Sequence, residues 1–357
     1  MHVVWNTKFC SGLPHSLASY ASIVLLALET SCDETAAAIC TLDGQILSSR
    51  LFSQIDIHRK TGGVVPEIAS RNHITKVRLL VEAVLEEAGV VLGDIDGFAA
   101  TCGPGLVSSL LIGTSMAKAL AVAEKKPFLA INHMEAHLLS PFIGRSGIKP
   151  ALGLVVSGGH TMLVQINGVG DYRLLGRTRD DAAGEALDKV ARMIGLPYPG
   201  GPEIERAAVG GNPKAISFPR SRFADAPLDF SYSGLKTSVL YELPKLDLKN
   251  PQVLADLCAS VQDAVIDPLI DKAVLAARTH ELPLIAVSGG VSCNKRLRQK
   301  LFERCESEPG LFSICAAPHL CTDNAGMVAF AAAARFNAGH RSPLEQEVDP
   351  NWSLAAA

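Results

Sequence analysis

A duplicated α/β architecture, with two halves of strands and helices flanking a ligand cleft, is the fold class this sequence predicts, and three observations predict it. The first is a phrase used twice: Leu154-Val155-Val156-Ser157-Gly158-Gly159-His160-Thr161 and Ile285-Ala286-Val287-Ser288-Gly289-Gly290-Val291-Ser292 are each an apolar run halted by Ser-Gly-Gly. A run of this kind bounded by glycines reads as a buried strand. A glycine pair just past the strand lets backbone N–H groups approach a phosphate with no Cβ in the way. Two copies point to a cleft that grips a nucleotide from two sides. The second observation is a strand, polar turn and strand near residue 23 that start over after residue 150. The third is length, since 357 residues suit two domains.

The elements follow in order. Ile23 to Leu28 and Ala36 to Thr41 are strands around the turn Glu29-Thr30-Ser31-Cys32-Asp33-Glu34-Thr35, and Asp43-Gly44 is a hairpin signal. Glu67 to Ala88 carries Ile68, Ile74, Val77, Leu80 and Val84 at helical spacing. Phe98 to Thr101 is a short strand broken by Gly103-Pro104-Gly105, after which a small-residue helix runs to about Ala123. Phe128 to Ile131 is a strand leading into a helix with His133 and His137. Turn-rich residues 144–150 mark a boundary, so one lobe is expected over 23–148, completed by a C-terminal helix over 323–345, and the other over 149–322. In the second lobe Met162 to Ile166 is a strand ending at an Asn167-Gly168 turn, and Gly184 to Leu196 is a helix. Proline-rich residues 212–250 read as an irregular insertion. A long helix follows, kinked at Pro268, then a strand from Leu284 and a basic helix from Asn294 to Phe302. Asp323 is placed to cap the last, Ala-rich helix.

Composition narrows the function. A net charge of -3 argues against a protein that coats nucleic acid through overall basicity. Nine scattered cysteines without a C-x-x-C pair indicate neither a zinc ribbon nor a disulfide framework. Polar residues interrupt Val107 to Ala123, the stretch that comes nearest to a membrane span. Residues 1–22 contain no acidic residue and a single lysine, and are read as a disordered leader or an upstream start.

Four groups of residues carry chemistry. His133 and His137, at i and i+4, share a helix face and offer two imidazoles to a divalent ion. Met134 stands where an H-E-x-x-H protease motif needs glutamate, so zinc proteolysis is disfavoured. Glu29, Asp33 and Glu34 form an acidic turn. Asp188, one turn into its helix, is placed to accept from sugar hydroxyls or to pair with Arg192, and Tyr198-Pro199-Gly200-Gly201-Pro202 permits close backbone approach. The second Ser-Gly-Gly runs through Asn294 into a helix, the arrangement of an anion site.

These segments, with Gly62-Gly63-Val64-Val65-Pro66-Glu67, Gly103-Pro104-Gly105-Leu106 and Asp323-Asn324-Ala325, occur in one order from about residue 23 to about residue 352. In this the chain resembles the bacterial tRNA N6-adenosine threonylcarbamoyltransferases, a family long labelled O-sialoglycoprotein endopeptidases. The resemblance implies the two-lobed actin-like, sugar-kinase-like fold. It implies transfer of threonylcarbamoyl from threonylcarbamoyl-AMP to N6 of the adenosine 3′ of the anticodon in tRNAs reading ANN codons, with release of AMP. It further implies that His133, His137 and Asp323 ligate one divalent metal ion, iron or zinc. Val155, Val156, Ser157, Gly158 and Gly159 would line the adenylate site, Asp188 would meet the ribose, Gly201 the nucleotide, and Asn294 the base or ribose. Glu205 stands where many members carry Asp. Also implied are a cytoplasmic location away from membranes, tRNA as partner, and a complex with a smaller paralogous actin-fold subunit and an ATPase subunit. Arg71, Lys236, Arg296 and Arg298 are candidate tRNA contacts. The sequence names no catalytic base, with Asp33 and Glu34 the candidates. The alternative reading is a small-molecule kinase of the same fold, which would not need the histidine pair.

Overall fold

The computed structural model describes residues 23–61 and 63–354, so the leader expected over 1–22 lies outside the described residues. The chain divides into two compact units: one runs up to Ser146 and resumes at Asp323, and the other is Gly147–Thr322.

Each unit is built on a five-stranded sheet, and the two sheets share one connectivity. In the first unit β1 (Val24–Glu29), β2 (Glu34–Thr41), β3 (Ile46–Ser53), β4 (Gly97–Gly103) and β5 (Phe128–Asn132) lie in the order β3-β2-β1-β4-β5. In the second β6 (Ala151–Val156), β7 (Thr161–Gly168), β8 (Asp171–Arg177), β9 (Leu284–Ser288) and β10 (Phe312–Cys315) lie as β8-β7-β6-β9-β10. In both, three strands make an antiparallel meander, and the last two join in parallel beside the first. The duplication therefore lies in the sheets and not in the repeated Ser-Gly-Gly phrase. Strands β6 and β9 are parallel neighbours, with Val155 opposite Ser288, so both glycine corners emerge side by side from one sheet edge of the second unit.

The helices are α1 (Ile55–Arg59), α2 (Pro66–Ala88), α3 (Val107–Glu124), α4 (His133–Leu139), α5 (Ala183–Met193), α6 (Gly200–Ala207), α7 (Ser233–Glu242), α8 (Pro251–Thr279), α9 (Lys295–Glu306) and α10 (Ala325–Asn337). Every residue of β1 and β2 is buried, because α2 and α10 pack against this part of the sheet. Helix α10 is buried from Ala325 to Ala333, and its alanines and Gly326 allow close approach to the strands. Helix α3 has the length and apolarity of a membrane span, yet it packs on β4 and α2 and buries Leu110, Thr114, Ala117 and Ala121.

Several expectations are corrected. Residues 212–250 are not irregular throughout: Phe218, Phe230, Tyr232, Leu235 and Val239 belong to the core of the second unit, and the segment contains α7. Strand β7 runs to Gly168, so its hairpin turns at Val169-Gly170, with Gly170 at φ 79°. Asn324 rather than Asp323 caps α10, its side chain accepting from the Met327 amide at 2.9 Å. That displacement by one residue frees the Asp323 carboxylate.

The chain after α10 returns along the first unit. The Asp349 amide donates to the Cys102 carbonyl (2.9 Å), and Asn132 Nδ2 donates to the Trp352 carbonyl (3.1 Å).

Candidate metal centre and nucleotide site

In α/β sheets, ligands gather at the carboxyl ends of parallel strands, where the strand order reverses. The first unit places β1, β4 and β5 in that relation, and its titratable groups collect there. Glu29 ends β1, and His133 follows directly on β5. Asn132 caps α4 by accepting from the Met134 and Glu135 amides (2.9 and 3.3 Å), which fixes the start of the helix and the face its histidines present. Glu135, on another face of α4, is paired with Arg335 of α10, whose Nε donates to both carboxylate oxygens at 2.9 and 3.0 Å.

His137 Nε2 lies 3.0 Å and His133 Nε2 3.5 Å from Asp323 Oδ1. The three ligand atoms fall within 4.8 Å of one another. Behind them His133 Nδ1 donates to Glu29 Oε2 at 3.1 Å, and Glu29 is held by the Thr101 hydroxyl (2.7 Å) and the Ser31 amide (2.5 Å). A carboxylate behind a histidine fixes its tautomer and leaves Nε2 to a metal. Burial alone would lower the His133 pKa, but the Asp323 and Glu29 carboxylates overcome this and raise it to about 10. Burial, outweighing Asp323, pushes His137 down, which favours the neutral imidazole that metals bind. Burial would raise Asp323, but the two histidines hold it well below the usual carboxylate range. His133 thus lies between two carboxylates, Glu29 at its Nδ1 and Asp323 near its Nε2. The His137 Nδ1 atom is buried with no hydrogen-bond partner among the described residues. Two imidazoles and one carboxylate are a donor set that suits Zn²⁺ or Fe²⁺ with positions left open for substrate.

Glu29 was not separated from its acidic neighbours by sequence reasoning. The signal was present: it is the one charge closing an otherwise apolar strand, Val24–Glu29. Changing it to glutamine should weaken metal binding about 10- to 100-fold, measured by competition with a chelator. An unchanged affinity would remove it from the site.

The other two acidic residues part company. Burial pushes Glu34 up to about 9 despite a hydrogen bond from the Ser53 hydroxyl (2.8 Å). It is a neutral acid at pH 7 and cannot accept a proton. Burial also raises Asp33. The sign of the Glu34 effect on stability follows from proton counting. Between the ordinary 4.5 and about 9 the folded chain keeps a proton that the unfolded chain has lost, so stability falls as pH climbs through this window. Glu34→Gln should therefore raise Tm at pH 8 by on the order of 5 °C, with a smaller gain at pH 5. Equal shifts at both pH values in a thermal melt would contradict this.

In the second unit the equivalent edge carries both glycine corners. The Ser157 hydroxyl accepts from the amides of Gly159 (3.3 Å) and His160 (3.0 Å), and the Ser157 carbonyl accepts from the Gly184 amide at 3.1 Å. A Cβ on Gly184 would lie 2.7 Å from that carbonyl, so the N-terminus of α5 sits directly against the first corner. Gly158 and Gly159 face open space. Val155 and Val156 are wholly buried in β6 and shape the strand beneath the corner instead of offering side chains to a ligand. Gly289 is at φ 88°, and Gly290–Cys293 forms a 3₁₀ turn before α9. Asn294 caps α9 (Leu297 amide, 3.0 Å) and donates to Gln262 Oε1 (2.9 Å).

Asp188 accepts from the Gly200 amide at 2.6 Å at the start of α6, and burial raises its pKa. Gly201, beside it, has only Leu187 near its Cβ position, at 3.8 Å. Glu205 accepts from the Lys295 amide (2.8 Å) at the N-terminus of α9. Three of the four suggested tRNA contacts are engaged within the second unit. Arg296 pairs with Asp263 through two bonds of 3.1 Å, Lys236 with Asp181, and Arg298 binds the Ser292 carbonyl at 2.6 Å. Among the described residues Arg71 makes an exposed pair with Glu67, which costs little to break.

Fold and site together define a class: an actin-like, sugar-kinase-like α/β protein carrying a His-His-Asp cluster of metal-binding type. Among solved structures the chain is similar to HypF from T. kodakarensis (TM-score 0.64, 13% identity, 89% of this chain and 48% of that one). It is also similar to component A of Acidaminococcus fermentans (R)-2-hydroxyglutaryl-CoA dehydratase (TM-score 0.51, 16% identity, 89% and 100%). At these identities the likeness concerns the fold. The family model of TsaD, tRNA N6-adenosine threonylcarbamoyltransferase, matches residues 45–330. Curated relatives bearing that name are 50% identical over 331 residues in Anaeromyxobacter sp. strain Fw109-5 (92% of this chain, 99% of that protein) and 46% identical over 333 residues in Clostridium perfringens strain 13 (93% and 98%). The chain belongs to the tRNA N6-adenosine threonylcarbamoyltransferase family.

Proposed function

We propose that this chain transfers a threonylcarbamoyl group from threonylcarbamoyl-AMP to N6 of the adenosine 3′ of the anticodon in tRNAs reading ANN codons, releasing AMP. The observation that carries the reading, within this family, is the convergence of His133, His137 and Asp323 with Glu29 fixed behind them.

The exocyclic amine of adenine is a weak nucleophile, because its lone pair is delocalised into the ring. Catalysis has to come from an activated acyl group, alignment and stabilisation of the leaving phosphate. His133, His137 and Asp323 would hold the ion, iron or zinc, which when bound supplies Lewis-acid polarisation and a fixed positive charge. Glu29 keeps the proton on His133 Nδ1 and so keeps Nε2 available. The glycine corners and the N-terminus of α5 offer backbone amides and the positive end of a helix to the phosphate of AMP. Asp188, Gly201 and Asn294 would contact the nucleoside, Asp188 from its place in α5 beside the Gly200 amide and Asn294 from its position as the cap of α9. Of the two acidic candidates for accepting the amine proton, Asp33 remains, because Glu34 is held neutral.

The enzyme is proposed to act in the cytoplasm with a smaller paralogous actin-fold subunit and an ATPase subunit. The exposed apolar residues Ile74 and Leu79 on α2 and Val107 and Leu111 on α3 are the surface offered for docking. Nucleoside mass spectrometry of tRNA from cells depleted of this protein tests the function. Threonylcarbamoyladenosine should disappear, and its persistence in cells with no second such enzyme would refute the assignment.

A further inference from the structure

A cavity of about 440 Å³ that the proposed chemistry does not use opens on the second unit. Helix α8 contributes Lys272 to its lining, α9 contributes Lys300 and Arg304, and the loop after Phe218 supplies Arg220 and Arg222. Against these five cations the lining holds two carboxylates, Asp267 and Asp271. A chain of net charge -3 thus gathers an excess of positive charge on one concave surface. Three of the cations are balanced locally. Arg220 donates twice to Asp267 Oδ2 (2.8 and 3.2 Å), Lys300 pairs with Asp263 (2.9 Å) and with Asp267, and Arg304 pairs with Glu308 (2.8 Å).

Lys272 and Arg222 make no ion pair among the described residues. Arg222 is exposed, but only 7% of Lys272 is. The Lys272 Nζ is held by neutral acceptors, the Ser221 hydroxyl at 3.3 Å and the Asp229 carbonyl, and lies 5.1 and 5.6 Å from the centres of the Phe230 and Phe223 rings. The Asp229 carboxylate is committed elsewhere, to Arg179 Nε and the Arg177 amide (2.9 and 3.0 Å). Two of the three ammonium N–H groups are so used, which leaves one for a ligand. Burial pushes the Lys272 pKa down, as it does for an ammonium that lacks a counter-ion. A buried charge left without a partner is costly, and an anion in the adjoining cavity would relieve that cost.

We propose that this cavity is a phosphate site and that it takes a backbone phosphate of the tRNA. Guanidinium forks beside a lysine point charge are the chemistry that recognises phosphate. Among the described residues no aromatic side chain lines the cavity for a base to stack on, so the recognition is of the backbone and not of a nucleobase. Helix α9 runs from the site to the cavity: at a rise of 1.5 Å per residue, Lys300 and Arg304 lie about 9 and 15 Å along its axis from Asn294. Lys272 is the buried cation of the site and Arg222 the exposed one, and Lys300 and Arg304 add to the field from α9. The phosphate chemistry stands on these residues alone, whereas its assignment to tRNA rests on the transferase reading made above.

The test has two arms. In the first, the full chain, with AMP present in excess to occupy the adenylate site, is titrated with tripolyphosphate by calorimetry. Binding is expected, weakened about tenfold by Arg222→Ala and at least as much by Lys272→Met. Arg222 is exposed and unpaired, so its replacement reads the site and not the fold. A wild-type chain that binds no tripolyphosphate, or an Arg222→Ala chain that binds it equally well, would overturn the phosphate site. In the second arm, filter binding of a tRNA with an ANN-reading anticodon is followed across a range of salt concentrations. Arg222→Ala should bind more weakly, with a slope of log K against log[salt] shallower by about one. Unchanged tRNA affinity and slope in this variant, or no tRNA binding by the wild-type chain, would overturn the tRNA assignment. Weakened tripolyphosphate binding would then leave a free phosphorylated compound as the ligand. Failure of the transferase reading shows separately, as threonylcarbamoyladenosine that persists in the depleted cells, and leaves the tripolyphosphate result standing.

Discussion

Replacing His137 by alanine should leave a chain that retains less than about a tenth of its metal and transfers threonylcarbamoyl about a hundredfold more slowly or worse, equivalent to the loss of roughly 3 kcal/mol of transition-state stabilisation. The imidazole is wholly buried and its Nε2 lies 3.0 Å from Asp323 Oδ1. Without it the remaining donors are one histidine and one carboxylate, too few to compete with water for an ion. The substitution also leaves a small buried void, worth about 1 kcal/mol or more. Metal content per folded chain, measured by elemental mass spectrometry after gel filtration, separates loss of the ion from loss of the fold. Full metal occupancy in the variant would remove His137 from the ligand set.

Gly289→Ala is the second large effect, and it acts through the backbone. Gly289 sits at φ 88° and ψ 158°, a region that is essentially restricted to glycine. A Cβ there would lie 2.6 Å from the Val156 carbonyl carbon and closer still to its oxygen. Because Val156 belongs to the adjacent strand β6, relief would require parting β6 from β9 at the edge where both corners emerge. A loss of about 2–4 kcal/mol in unfolding free energy is expected, read by urea denaturation, together with loss of AMP binding. Gly158→Ala is the contrast, since a Cβ there meets nothing within 4 Å. It should cost little stability and report only on ligand approach. Equal stabilities for the two variants would contradict this account of the corner.

What the sequence made legible follows from how local the signal was. The histidine pair was readable because helical spacing alone places both rings on one face. The repeated Ser-Gly-Gly was readable because an apolar strand and its glycine stop are contiguous. The edge strands β3 and β10 were missed. They hold mixed polar and apolar residues, being covered on one side at most. In residues 212–250 the prolines signalled irregularity, which holds up to Tyr232, but they hid α7, and Phe230 and Tyr232 anchor the segment in the core through tertiary packing that no local pattern reveals. Asp323 was singled out as a candidate ligand, and its freedom from capping depends on Asn324 taking that duty, a choice between adjacent residues that only the backbone decides. Glu29 needed the register of β1 beside β4 to bring it to Thr101 and His133. The structural partners of Asp188, Asn294 and Glu205 were likewise out of reach, because each belongs to a different helix end assembled by the fold.

The unit bearing the histidines is interrupted by the other, and its third ligand comes 186 residues after His137. During synthesis the second unit is therefore complete in the emerging polypeptide before the first can close. A nascent chain stopped anywhere short of Asp323 holds both imidazoles but has no carboxylate to complete the cluster, and lacks α10 to cover β1 and β2. Assembly of the His-His-Asp cluster thus waits on translation: the order in which the residues arrive keeps it open until the whole second unit has been made.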